Sequence, residues 1–141
     1  MAPRTPLLIG AALASALAAG PAGAENLKGS AAILRGMDKV TARIAKFDAP
    51  VGRSVRYGEL EILVKACRKR PPEEQPESAA FLEIYEAKKG KARRKVFSGW
   101  MFASSPALSA MEHPVYDIWV VDCIVPGTGK KKTLKKASKK R

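Results

Sequence analysis

The feature that most limits the fold of this chain is a series of short runs of alternating apolar and polar residues, separated by glycine and proline. LEILVKAC (residues 60–67) and AAFLEIYE (79–86) alternate with the period of two residues expected of half-buried strands. KVFSGWMFA (95–103) and VYDIWVVDC (115–123) are apolar on both faces, which is typical of central or sandwiched strands. These runs predict a small all-β domain, either a sandwich or a partly open barrel.

Weaker runs extend this pattern towards the N-terminus. AAILRG and TARIAKF read as two strands joined by a turn near residues 37–39, and SVRY reads as a further short strand. One short helix is predicted in SSPALSAMEHP, where Ser105 suits the N-cap, Pro106 suits the first helical position and Pro114 prevents continuation.

The first 24 residues have the layout of a cleaved secretory signal. Arg4 supplies a positive start, residues 7–20 are small and aliphatic, and the small-x-small triplet Ala22-Gly23-Ala24 precedes the polar Glu25. The apolar run is shorter than the about 20 residues that a membrane span needs. We therefore expect a chain that begins at Glu25 in the periplasm or outside the cell, with no transmembrane span after cleavage. An uncleaved anchor or a buried helix is the alternative.

Export changes the interpretation of the two cysteines, Cys67 and Cys123. Two cysteines in an oxidising compartment usually pair, and the chain has no C-x-x-C motif that would indicate redox catalysis. We predict a Cys67–Cys123 disulfide; the alternative is two buried free thiols. Cys67 shares its strand phase with Glu61 and Lys65 rather than with the apolar face, so either a β-bulge intervenes or the disulfide lies at a strand edge.

The formal net charge of +13 is concentrated in the C-terminal segment. Residues 25–126 carry 17 basic and 13 acidic groups, a net of +4, whereas the last twelve residues carry eight basic groups and no acid. The basic residues of this tail are Lys130, Lys131, Lys132, Lys135, Lys136, Lys139, Lys140 and Arg141. Such a segment is expected to be disordered. In an exported protein its partners would be anionic lipid or an envelope polymer rather than nucleic acid; a solvated tail with no specific role is the alternative.

Two further basic stretches lie in connections between strands. RKRPPEEQPES (68–78) combines basic residues, prolines and glutamates, and reads as a solvated hairpin connection, with a partner-binding loop as the alternative. KKGKARRK (88–95) is the second stretch. The candidate residues for a shared basic face are Arg68, Lys69, Arg70, Arg93 and Arg94.

No constellation of residues predicts catalysis, a metal site or a cofactor. The lone His113 precedes a proline, and its spacing to Glu112, Asp117 and Cys123 matches no zinc site. The serines form no G-x-S-x-G elbow and no phosphate-binding glycine motif is present. The aromatic residues of the last two strands are expected in the core rather than in a sugar-stacking surface.

The segments DKVTARIAKFDAPVG, CRKRPPEEQPESAAFLEI and FSGWMFASSPALSAMEHPVYDIWVVDC resemble a family of small exported alphaproteobacterial proteins catalogued as a domain of unknown function. The resemblance runs from about Ala32 to Cys123. It implies a location in a Gram-negative envelope and carries no assigned catalytic residues. The basic tail lies beyond it.

The sequence therefore predicts four segments: a signal peptide (1–24), a flexible start (25–31), a β domain (32–126) and a Lys-rich tail (127–141). The expected function is a non-enzymatic binding or scaffold domain of the periplasm, whose tail adheres weakly to anionic envelope surfaces. The alternatives are an accessory subunit that joins an envelope protein in a larger complex, and an enzyme that acts on an envelope polymer.

Overall fold

The structure is a computed structural model that describes Gly20 and residues 23–128. Nearly all of the predicted signal peptide and all eight basic residues of the tail lie outside the described residues. The strands of the described part are β1 (Leu27–Lys28), β2 (Ala31–Asp38), β3 (Arg43–Pro50), β4 (Ser54–Tyr57), β5 (Leu60–Lys69), β6 (Ser78–Glu86), β7 (Arg94–Phe102) and β8 (Tyr116–Ile124).

These strands form two antiparallel sheets that face each other. One sheet has the order β1-β5-β6-β7, with β4 pairing the same edge of β5 as β1 but further towards its start. The other sheet has the order β3-β2-β8. The sheets do not close into a barrel, so the predicted all-β fold is confirmed as a sandwich. β1 lies within the segment expected to be a flexible start.

The core lies between the two sheets and follows the predicted alternation. In β6 every second residue from Ser78 to Glu86 is buried. The largest fully buried side chains are Leu34, Leu60, Ile62, Val64, Leu82, Ile84, Met101 and Val120. Burial of this apolar face holds the sheets together.

Each strand that carries a cysteine contains a β-bulge. In β5 the pairing with β6 skips Lys65, and in β8 the pairing with β2 skips Val121. One extra residue reverses the alternation beyond it, so Cys67 and Cys123 both turn into the core, where they are 0% and 3% exposed. Of the two explanations for the phase of Cys67, the bulge is correct.

Of the two positions expected for the two most apolar strands, central or sandwiched, the central one is wrong. Within the described sheets β7 and β8 lie at edges. β7 is apolar on both faces because Met101 faces the core while Trp100 packs on Phe81 across the outer face. In β8 the bulge moves the inward positions from even to odd residue numbers. Apolar residues therefore occur at both even and odd positions, and the sequence reads as apolar on both faces.

The connections also differ slightly from the sequence prediction. The β2–β3 turn occupies residues 39–42, later than predicted, and begins where the Asp38 carboxylate accepts the amides of Val40 and Thr41 at 2.9 and 3.1 Å. The short helix is one 3-10 turn, Pro106–Ser109, with Pro106 at its first position as predicted. No helix of the described residues has the length and hydropathy needed to cross a membrane.

Candidate functional site

The disulfide predicted from the sequence is present and joins the two sheets. Cys67 of β5 and Cys123 of β8 are bonded, with their Cα atoms 5.8 Å apart. Gly29 passes directly over the bond, because an added Cβ there would lie 3.0 and 3.1 Å from the two cysteine Cβ atoms. This end of the sandwich is therefore fixed covalently and by close packing.

A polar network lies beside the disulfide. The Lys69 ammonium donates to both carboxylate oxygens of Asp122 at 2.9 Å, and the Ser78 hydroxyl donates to the same carboxylate at 2.7 Å. Partial burial raises the pKa of Asp122, but these bonds and the Cys123 amide outweigh it, so the pKa lies below its usual range. Lys69 is thus engaged within the domain.

The proline-rich connection between β5 and β6 forms one wall of a cavity of about 500 Å³ beside this network. The Glu77 carboxylate accepts the hydroxyl and the amide of Ser104, which fixes the end of the connection to the segment after β7. Pro71 is buried. Thr128, the last described residue, lines the same cavity together with Lys69 and Arg70. The connection is therefore packed against the domain and is more than a solvated hairpin. The tail begins beside it.

The predicted basic face is not assembled as one surface. Arg68 lies opposite Ala79 at one end of β6, whereas Arg94 lies opposite Glu86 at the other end. Seven residues of strand separate these positions by about 24 Å.

The arginines of the second basic connection are also paired with acids. Arg93 contacts Glu61 at 2.8 Å and lies 3.6 Å from the centre of the Tyr85 ring, and Arg94 contacts Glu86 at 2.9 Å. The basic residues that share an end with the start of the tail are Arg68, Lys69 and Arg70, joined by Lys28 opposite Arg68.

The lone histidine holds the opposite end of the sandwich together. The His113 side chain is 1% exposed, its Nδ1 accepts the amides of Val115 and Tyr116 at 3.1 Å, and its Nε2 lies 3.0 Å from the Glu86 carboxylate. Because Nδ1 is an acceptor, the proton of the neutral ring is on Nε2, which donates to Glu86. Hydrogen bonds from Arg94, Lys88 and His113 lower the pKa of Glu86 to about 2. Arg94, Lys88 and His113 are therefore all engaged in hydrogen bonds that stabilise the fold.

Among the described residues no group of three or more His, Cys, Asp or Glu side chains is placed to hold a metal ion. The expectation that the aromatic residues of the last two strands are core is wrong for Phe102 and Trp119, which are half-buried but lie outside the core. It is also wrong for Trp100, which is 39% exposed on the outer face of the five-stranded sheet. Its strand phase, opposite to that of the buried Met101, is the sequence signal that distinguishes it. Lys28 is not among the basic residues predicted for a shared face, because β1, with two residues, is too short to show the alternation of a strand.

Comparison with known proteins gives a family but no activity. Residues 32–123 match a family described as "Uncharacterized protein conserved in bacteria (DUF2155)". A relative from Rickettsia prowazekii (strain Madrid E), described as "Uncharacterized protein RP359", is 30% identical over 87 residues, which is 62% of this chain and 56% of the relative. The chain thus spans about half the length of that curated relative. No solved structure matches the chain. The resemblance seen in the sequence is confirmed.

Proposed function

Because the chain belongs to this family of uncharacterized bacterial proteins, matched over residues 32–123, we propose that it is an exported, non-enzymatic binding domain of the periplasm. In this proposal its basic C-terminal end adheres to anionic surfaces of the cell envelope. The domain supplies a stable body, and the tail supplies the attraction.

The observation that carries the proposal is the position of Thr128. This residue lies beside Lys69 and Arg70, and the first lysine of the tail, Lys130, follows two residues later. The tail therefore starts at the end of the sandwich that also bears Lys28 and Arg68. In the proposal the tail's charges act together with these two cations, whereas Arg93 and Arg94 at the far end are paired with acids.

The disulfide supports export. Disulfides persist in the periplasm and outside the cell and are rare in the reducing cytosol. The Cys67–Cys123 bond is buried, closes a separation of 56 residues and ties the two sheets together. By the chain-entropy argument it stabilises the fold by roughly 4 kcal/mol. A protein that relies on this bond is suited to an oxidising compartment.

The adhesion is expected to be weak and sensitive to salt. Each lysine or arginine near an anionic bilayer contributes about 1 kcal/mol, and the attraction is lost beyond the Debye length of about 10 Å at 0.1 M salt. If half of the eight basic groups of the tail engage at once, binding is measurable but reversible.

The test is co-sedimentation of the purified exported protein with vesicles that contain anionic lipid. We expect binding that falls steeply with added salt, and loss of most of it when residues 129–141 are removed. Arg68→Ala with Arg70→Ala should weaken binding, whereas the matched pair Arg93→Ala with Arg94→Ala at the far end should not. Equal binding with and without the tail, or binding indifferent to salt, would refute the proposal.

A second candidate, an accessory subunit of an envelope complex, is favoured by the edge strand β3. In the described part of the chain β3 pairs with β2 on one side only, and its Ile44 is 58% exposed. Val40, in the adjoining turn, is 77% exposed. Such an edge can accept a strand from a partner protein. Crosslinking in the intact envelope should trap a protein in the parent chain and lose it in Ile44→Lys; trapping that is unchanged by this variant would exclude the β3 edge.

A further inference from the structure

The outer face of the five-stranded sheet carries an open groove of about 530 Å³ at the basic end of the sandwich. The outward faces of antiparallel sheets are usually polar, yet here Trp100 and Phe102 form one wall and Ala79 forms the floor. The other wall comes from Lys28 and Arg68. An aromatic surface facing two cations is an unusual feature for solvent-exposed sheet and indicates a binding site.

The aromatic wall is held in place before any ligand arrives. Trp100 lies directly opposite Phe81 in the β6–β7 register, and the rings meet edge to face with centroids 5.6 Å apart at 80°. Phe102 follows two residues along the same face of β7. The small side chain of Ala79, opposite Phe102, leaves room above the sheet. A fixed indole loses little entropy on binding.

The two cations of the groove are not paired with acids in the described part of the chain. Lys28 and Arg68 are cross-strand partners, and neither forms an ion pair with an acid among residues 23–128. Further along the same face Lys95 is paired with Glu83 and Arg93 with Glu61. Exposed Asn26 and Glu25 close one end of the groove, where the Glu25 carboxylate can accept hydrogen bonds from sugar hydroxyl groups. The one acid against two cations leaves the groove lining with a net charge of +1. The groove thus combines a flat aromatic surface, unpaired positive charge and a polar end.

We propose that this groove binds a carboxylate-bearing glycan chain of the cell envelope. The C–H face of a sugar ring stacks on Trp100, a carboxylate carried by the glycan or by its attached peptide meets Arg68 and Lys28, and the sugar hydroxyl groups bond to the polar end. The protein's own tail is excluded as the occupant, because its charges repel Lys28 and Arg68. An acyl chain would find a shallow, open surface with charges on one side. The inference rests on the proposed function only in placing the protein in the envelope.

The two tryptophans of the chain make a direct test possible. In Trp119→Phe the only indole is Trp100, in the groove; in Trp100→Phe the only indole is Trp119, on the other sheet. Each variant is titrated with disaccharide-peptide fragments released from purified peptidoglycan. We expect a saturable shift in emission from Trp119→Phe and none from Trp100→Phe. A shift from the Trp119 indole, or no shift from either, would overturn the inference.

Affinity measurements complete the test. Trp100→Ala, and Lys28→Ala with Arg68→Ala, should each weaken binding of the fragments by about tenfold or more, the size expected of an aromatic anchor or a charged contact. Amidation of the fragments' carboxylates should have the same effect, and Trp119→Ala should have none. Equal binding by amidated fragments would overturn the role of the cations.

The outcomes separate this inference from the proposed function. Trp100→Ala should leave vesicle binding unchanged, and removal of residues 129–141 should leave the emission shift unchanged. Vesicle binding could be lost on removal of the tail while the Trp100 emission does not respond to the fragments. That result would refute glycan binding in the groove and would still support adhesion by the tail. Binding to whole sacculi that is abolished by protease treatment would identify an attached protein as the ligand and would also overturn the inference.

Discussion

At the scale of single residues, His113 and Glu86 show how polar groups are satisfied inside a small sandwich. Glu86 is 7% exposed and receives hydrogen bonds from Arg94, Lys88 and His113. The ring of His113 in turn accepts two backbone amides. A buried carboxylate is stable only when such partners offset its lost hydration. The cluster connects the end of β6, the start of β7 and the segment before β8.

Glu86→Gln tests this cluster through its pH dependence. The pKa of Glu86 in the fold is about 2, below its ordinary value of 4.5. The charge therefore stabilises the fold above pH 4.5, and this contribution is lost as the pH falls from 4.5 towards about 2. We expect the variant to unfold at lower urea than the parent at pH 7, with a difference that shrinks below pH 4.5. Glu73→Gln, which removes an exposed carboxylate outside this cluster, is the control and should follow the parent. A difference that stays constant with pH would show that charge is not the cause.

Two strand glycines make a matched test of close packing. A Cβ on Gly36 would lie 2.7 Å from the Tyr57 ring, which stacks on Phe47, whereas a Cβ on Gly99 would meet only an ordinary 3.5 Å contact. Gly36→Ala should destabilise the protein by about 1–3 kcal/mol through overpacking. Gly99→Ala should be neutral or slightly stabilising, because alanine restricts the unfolded chain. Thermal unfolding of both variants checks this, and equal effects would contradict it.

At the scale of strands, the two bulges decide where the cysteines point. Val64 and Cys67 both face the core only because Lys65 is left out of the pairing with β6. In β8 Val121 has the same role for Val120 and Cys123. Each bulge shifts the inward positions by one residue. Strict alternation along either strand would turn its cysteine to the outer face, so the bulges allow the disulfide to form.

Deletions in β5 test this account. Removing Lys65 leaves a regular strand in which Val64 and Cys67 still face inward, so the disulfide should form. Removing Lys65 and Ala66 together turns Cys67 outward and should leave two free thiols. Thiol alkylation under denaturing conditions, followed by mass spectrometry, counts them. Free thiols in the single deletion would show that the bulge itself, and not only the phase, is required.

At the scale of the whole molecule, charge is divided between a folded body and a tail. Acidic groups lie close to several cations of the domain, including Lys39 with Asp117 and Lys69 with Asp122, each at 2.9 Å. The tail's eight basic groups have no acid within their own segment. In the proposed function this division makes the tail the main source of long-range attraction and leaves the surface of the β domain available for binding.

Export is the premise of the whole-molecule proposals and has its own test. The native protein should be released with the periplasmic or secreted fraction, begin at Glu25 and resist thiol alkylation until it is reduced. In Cys67→Ala with Cys123→Ala we expect a loss of roughly 4 kcal/mol of stability, measured by urea unfolding. A native protein with its initial methionine and reactive thiols would contradict export.

The sequence by itself determined the all-β class, most strand positions, the Cys67–Cys123 pair and the separation of charge between body and tail. These features are local or compositional: alternation is visible within one strand, and two cysteines leave one intramolecular pairing. The tertiary structure decided which strands lie at edges, where the bulges fall, that Trp100 faces outward, and that Arg68 and Arg94 lie at opposite ends. Those outcomes depend on the register between strands distant in sequence, because a side chain's face and partners are fixed only when its neighbouring strand is in place.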